Sequence, residues 1–194
     1  MEKLKSSLPN MVGVLVGFSI IIGGLLAYVN HITEGPIKQK QEKTLAAGIK
    51  TVMQNNNVQV ADPETLNETI DGKVATFIIH PCKDNAGKNI GSAIESTTNG
   101  FGGDLQVLVG FDNDGKILGY TILKSSETPG LGAKAGVWFQ KDGKGNVIGM
   151  SPKDKPLVVS KDGGDVDAIT ASTITSRAFL KAINQAYAAY AKKK

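Results

Sequence analysis

The sequence predicts an α+β fold, an antiparallel sheet packed by helices, behind one N-terminal membrane-spanning helix. Three observations carry this: a charge-free apolar run near the start, a middle region whose hydrophobicity alternates every second residue, and an Ala-rich amphipathic C-terminal stretch. With 194 residues, 41% of them hydrophobic, the chain can bury one core of ordinary size.

The apolar run, "LPNMVGVLVGFSIIIGGLLAYV", extends from Leu8 to Val29. At about 22 residues it is long enough, as a helix, to cross the hydrocarbon core of a bilayer. A cleavable signal peptide has a shorter apolar region and a small-x-small exit. "LLAYVNHITEG" offers no such site and Tyr28 stands where interfacial aromatics stand, so an uncleaved single-pass anchor is expected. Lys3 and Lys5 precede the span while Lys38, Lys40 and Lys43 follow it, and charge counting alone does not orient it.

Beyond the span, Ile37, Leu45, Ile49 and Val52 recur at near-helical spacing, with Gly35-Pro36 as the expected break before them. "NNNVQVADPETLNETIDG" is polar with little periodicity and reads mostly as loop; its Asn67-Glu-Thr glycosylation triplet reads as unmodified. The expected organisation is therefore a tail and anchor over 1–30, a helical linker and loop over 31–70, and a folded domain over 71–194.

From Lys73 the period becomes two. "KVATFIIH", "IGSAIEST", "LQVLVGFD" and "ILGYTILKSS" are short runs rich in β-branched residues, separated by Gly, Asn and Asp. Asp114-Gly115 in "DNDGKI" predicts a hairpin between the last two. "GNVIGM" and "PLVVSKDG" are expected to add strands. The final stretch places Phe179, Leu180, Ile183, Tyr187 and Tyr190 on one side of a helix that packs on the sheet.

The net charge of +4 and pI near 9.0 arise at the flanks of the span and in the terminal "AKKK", without a basic stripe interleaved with aromatics. Nucleic-acid binding is unsupported; an anionic lipid surface or anionic cofactor accounts for the charge as well. The single cysteine, Cys82, excludes an intramolecular disulfide, a CxxCH haem site and a four-cysteine cluster, and His80 beside it does not complete a metal site.

Three stretches can carry chemistry, and each has a plain structural reading. "NGFGGD" is a loop or bulge between strands, or a tight wall against a flat ligand. "ETPGLG" places Pro129-Gly130 in the order of a type II turn. That turn does not require Glu127 and Thr128 before it, or Lys134 and Trp138 after it. "GLGAKAG" lacks the spacing of a phosphate-binding or dinucleotide fingerprint. In "DAITAST", Thr170, Ser172 or Thr173 can cap the last helix, with Asp167 near its positive end.

Taken together, "GFGGDLQVLVGFD", "ETPGLG" and "DAITASTITS", in that order behind one N-terminal span, resemble the family of Rnf complex G subunits over nearly the whole chain. A more distant resemblance is to the C subunit of the sodium-translocating NADH:quinone reductase. The family signature runs Asp, small, any, Ser/Thr, small, small, Thr, and the resemblance implies FMN held covalently on the final Thr by a phosphoester. On this chain the positions are Asp167, Ala168, Ile169, Thr170, Ala171, Ser172 and Thr173. Ala171 stands where the family most often has Gly. Ser172 stands where it most often has Ala, which makes Ser172 a rival acceptor.

The resemblance further implies a flavin transferase that uses FAD as the FMN donor. It places the domain on the extracytoplasmic side of the bacterial cytoplasmic membrane, N-terminus inside, beside the other membrane subunits of an Rnf-type complex. The expected function is electron transfer within a complex coupling ferredoxin and NAD to ion translocation. The chain has no ferredoxin-binding cysteines, NAD fingerprint or multi-span ion path, so those functions fall to other subunits.

A helix start suits a phosphoester, because its free N–H groups and dipole favour an anion. Arg177, one turn after Thr173, is a secondary candidate for that phosphate. The flavin ring needs apolar walls and a few donors, for which Phe101, Leu131 and Trp138, and Thr128 with the Gly130–Gly132 backbone, are candidates. Lys124 and Lys134 are candidate cations toward the reduced ring. The competing readings are an anchored extracytoplasmic binding or scaffold domain without a covalent flavin, and a Ser or Thr hydrolase, for which no G-x-S-x-G elbow exists.

Overall fold

The computed structural model describes residues 8–193 apart from 71 and 154, so Lys3, Lys5 and the final Lys194 lie outside the described residues. The chain divides into two compact units, up to Thr44 and from Leu45 onward.

In the first unit the chain is helix α1 (Leu8–Val52), whose last residues belong to the second. Its apolar side chains from Leu8 to Ile32 are exposed, and it is the helix among the described residues long and apolar enough to cross a membrane. The break expected at Gly35-Pro36 is absent: α1 runs through Pro36. An interior proline removes one N–H and costs about 3 kcal/mol. Glu34 and Lys38 form an i,i+4 ion pair of 2.6 Å across the proline.

In the second unit, β3 (Lys73–Lys83), β4 (Asn89–Asn99), β5 (Asp104–Phe111) and β6 (Ile117–Ser125) form an antiparallel meander in the four runs that alternate in the sequence. The DNDG hairpin joins β5 to β6. Asp112 accepts the N–H groups of Asp114 (2.9 Å) and Lys116 (2.8 Å), and Gly115 takes φ 81°.

The segment read as loop before Lys73 instead supplies β1 (Gln59–Val60) and β2 (Glu64–Ile70), which share the outer edge of β3. The signal in β2 is thin because its inward positions are Leu66, Glu68 and Ile70, each only half-buried. Two ion pairs of 2.7 Å, Lys192 with Glu68 and Lys193 with Glu64, link it to the far end of the last helix.

One sheet face carries Phe77, Ile79, Ile94, Leu105, Val107 and Val109 beneath helix α3 (Thr173–Lys193), which buries Phe179, Leu180 and Ile183 among them. Phe179 stacks on Phe139 at 4.2 Å and meets Tyr120 edge-on at 4.7 Å. The Tyr120 hydroxyl donates to the Ala135 carbonyl at 2.7 Å, and burial pushes its pKa up. Aromatic pairs of this kind add roughly 0.5–1.5 kcal/mol beyond area burial.

The opposite face is shallower. Leu108, Ala93 and Cys82 pack against Ile49, Val52 and Met53 of the α1 end, and burial pushes the Cys82 thiol up. Gly110 and Gly119 face each other in register, and a Cβ on either would crowd the Val52 carbonyl. The paired glycines let a helix end lie directly on the strands.

The strands expected at "GNVIGM" and "PLVVSKDG" do not form. Residues 147–150 turn, with Gly149 at φ 83°, and exchange two backbone bonds with Ile117 of β6 at 2.8 and 2.9 Å. Val159 forms only an isolated bridge to Val166, followed by a 3-10 turn over Ser160–Asp162. Each run is bounded by Gly or Pro before a ladder can propagate. Between β6 and α3 lie a 3-10 turn, Gly132–Lys134, and the short helix α2 (Ala135–Trp138).

Candidate functional site

The hydroxyl-rich run at the start of α3 divides into side chains with different tasks. Ser172 is the cap residue by position: its carbonyl accepts the Ser176 N–H at 3.0 Å. The buried Ser176 hydroxyl donates back to the Ser172 carbonyl and accepts the Ile169 N–H, both at 2.9 Å, clamping the turn that enters the helix. In that turn Ala171 takes φ 60°, a left-handed conformation that Gly adopts without cost. The Cβ of Ala171 makes this position strained, and glycine would relieve it.

Thr175, also buried, donates to Glu127 Oε2 at 2.9 Å. Glu127 lies inside, 8% exposed, and its other oxygen accepts the backbone N–H groups of Phe101 (2.7 Å) and Gly102 (3.3 Å). One carboxylate therefore joins the loop after β4, the loop after β6 and the first turn of α3. A Cβ at Gly100 or Gly132 would overlap that carboxylate, so a side chain at either place would push it from its present position. The Pro129-Gly130 turn forms as its sequence implies, with the Leu131 N–H donating to the Thr128 carbonyl at 3.2 Å and Gly130 at φ 76°.

These elements enclose a cavity of about 420 Å³, lined by Phe101, Glu127, Thr128, Leu131, Gly132 and Ala171 through Thr175. Its volume falls within the roughly 300–1,000 Å³ of small-molecule sites. Phe101 is 71% exposed, Leu131 42% and Ile174 52%, a set of apolar side chains left facing solvent at the cavity. The first-turn N–H groups of α3 have no intrahelical acceptors. Together they offer apolar walls and an anion seat.

Thr173 is half-buried and its hydroxyl accepts a hydrogen bond from Lys161 Nζ at 3.2 Å, while Ser172 is buried. Seven of the sequence candidates thus meet at one cavity: Phe101, Glu127, Thr128, Leu131, Gly132, Ser172 and Thr173. Four lie outside its lining. Trp138 donates its indole N–H to the Asp167 carbonyl at 2.9 Å, and the Asp167 carboxylate accepts from the Ser160 hydroxyl at 3.2 Å. Both support the loop that leads to Thr173. Thr170 and Lys134 are exposed, as is Lys124.

Arg177 does not reach toward Thr173. It makes a bidentate pair with Asp162 at 2.7 Å for both bonds, and the guanidinium holds the Asp162 carboxyl below its usual range. A second cavity of about 510 Å³, lined by Leu157, Asp162, Arg177 and Asn184 among others, has polar groups paired with one another: Arg177 with Asp162, and Asn184 with both backbone groups of Leu157 at 2.9 Å. Both cavities have apolar lining, and what sets the first apart is the start of α3 beside the exposed Phe101, Leu131 and Ile174.

A model of the FMN-binding domain matches residues 100–188, which include both loops, the cavity and most of α3. The G subunit of the ion-translocating oxidoreductase complex of Shewanella baltica is 34% identical over 178 residues, covering 87% of this chain and 82% of that protein. The G subunit of the Na(+)-translocating ferredoxin:NAD(+) oxidoreductase complex of Acetobacterium woodii is also 34% identical, over 193 residues, covering 91% of this chain and 88% of that protein. The chain belongs to the family of Rnf complex G subunits.

The cavity has the volume of a small-molecule site, with exposed apolar walls and a helix start. Sequence reasoning missed Lys161, Thr175 and Ser176. The two hydroxyls sit in the run already singled out, so counting more hydroxyls than one cap can use was the available signal. Lys161 had none, because the fold of another loop brings it to Thr173.

Proposed function

We propose that this chain is a membrane-anchored electron-transfer subunit carrying FMN covalently on Thr173. It works within an Rnf-type complex that couples electron transfer between ferredoxin and NAD to ion translocation. The observation that carries the reading is the Thr173 hydroxyl, only half-buried beside a cavity with apolar walls, on the first residue of a helix. A phosphoester there bears one negative charge next to free N–H groups and the positive helix end. FMN, when bound, supplies the one- and two-electron chemistry.

The chain's own residues bind and orient. Phe101 and Leu131 offer apolar contact, Thr128 and the backbone around Gly132 offer polar contact, and Glu127 holds the two loops and the helix in fixed relation. Asp167 and Thr170 are positions the transferase reads, both exposed on the approach to the acceptor. The burial of Ser172 beside the more open Thr173 supports Thr173 as the acceptor. Helix α1 anchors the domain as a single pass, N-terminus inside and domain outside, where a transferase delivers FMN from FAD. Covalent attachment there keeps the flavin from being lost.

The test is co-expression with the transferase, a denaturing gel and peptide mass spectrometry. Flavin fluorescence on the band and FMN mass on Thr173 are expected. A non-fluorescent wild-type band would remove the covalent reading and favour the anchored scaffold, and FMN on Ser172 would move the acceptor by one position.

A further inference from the structure

We infer that Lys161 is the positioning cation of the Thr173 site, holding the acceptor hydroxyl before attachment and pairing with the linking phosphate afterwards. The inference rests on the covalent reading above. Lys161 Nζ lies 3.2 Å from Thr173 Oγ1, although the two are on separate elements, the Ser160–Asp162 turn and the first turn of α3. Lys161 is not among the residues lining the cavity, so its reach is to the attachment point and not to the ring.

The loop that bears it is held in place. Ser160 N–H donates to the Val166 carbonyl at 2.8 Å, Gly163 takes φ 84°, and a Cβ on Gly164 would overlap the Val158 carbonyl. The next residue, Asp162, is locked to α3 by the bidentate Arg177 pair. That pair neutralises Arg177 and fixes the register of the loop against the helix, which presents Lys161 at Thr173. A backbone already placed removes part of the ordering cost when the ammonium it carries meets an anion.

During attachment the Oγ1–P bond forms as the bridging P–O bond of FAD breaks. AMP leaves with the electron pair, the hydroxyl proton passes to a base of the transferase, and no electron is exchanged. Lys161 stabilises the negative charge that develops on Oγ1 and then the single charge of the phosphodiester.

The test uses the full chain in detergent with purified transferase and FAD, following initial rates of covalent flavin incorporation across chain concentrations. Melting of each unmodified variant reports its fold. Lys161→Met is expected to melt like wild type yet lower kcat about tenfold, with KM for the chain within about twofold. Lys161→Arg restores most of the rate, and Asp162→Asn, which frees the loop, loses part of it. Equal rates for wild type and Lys161→Met would overturn the inference while leaving covalent flavin intact. A Lys161→Arg protein as slow as Lys161→Met overturns the charge role, and a wild type that takes no flavin overturns the reading beneath both.

Discussion

The two ends of α3 differ in what holds them. From Ala178 to Tyr190 the helix buries Phe179, Leu180, Ile183 and a series of alanines against the sheet, an apolar contact with few polar bonds. Its first turn is fixed by directed bonds: Thr175 to Glu127, Ser176 to the entering loop, Lys161 to Thr173 and Arg177 to Asp162. Burial is strong and tolerant of angle, whereas hydrogen bonds are weaker and orient atoms. One helix therefore separates a part that keeps the domain folded from a part that places a hydroxyl.

The largest effect tests the body. Phe179→Ala should cost about 3–5 kcal/mol, as expected for a buried aromatic, and denaturant unfolding should show it. A cost below about 1 kcal/mol would break the division.

Next comes Glu127→Gln, which keeps the shape but removes the charge that three donors share. Its expected cost is roughly 1–3 kcal/mol, with faster hydrogen exchange at the Phe101 and Gly102 amides. Unchanged exchange there would show that the loops hold without it.

Thr173→Ala should cost under about 1 kcal/mol, because Ser172 and not Thr173 occupies the cap position, while covalent flavin disappears from the gel. Global unfolding of this variant would give the first turn a structural role that the comparison denies it.

The smallest effect is in pH. Arg177 depresses the Asp162 carboxyl in the folded chain, so its contribution is present above the ordinary carboxylate value near ~3.9 and is lost as pH falls through the lower folded value. Wild type and Asp162→Asn should differ in melting temperature at pH 7 and converge toward pH 2. A difference that persists at low pH would assign it to packing.

The alternating runs of β3 to β6 and the apolar side of α3 were legible because each segment pairs strong periodicity with a buried face. β2 was hidden because an edge strand with half-buried inward positions leaves little alternation to read. Pro36 misleads because a single missing bond does not end a long helix. At the site, the hydroxyl run and the two glycine loops could be found locally. The parting of Trp138 from the cavity and the arrival of Lys161 depend on how residues 158–167 fold back, which no local pattern encodes.

The outer edge of β6 has a consequence for association. Ile117 already exchanges bonds with residues 149 and 150, the Leu118 carbonyl accepts from Gln54, and the Tyr120 carbonyl accepts from Gln140. An open terminal strand is a template on which another chain can add. Here three non-strand segments occupy groups at Ile117, Leu118 and Tyr120, so another chain approaching this strand meets a first half that is already partnered.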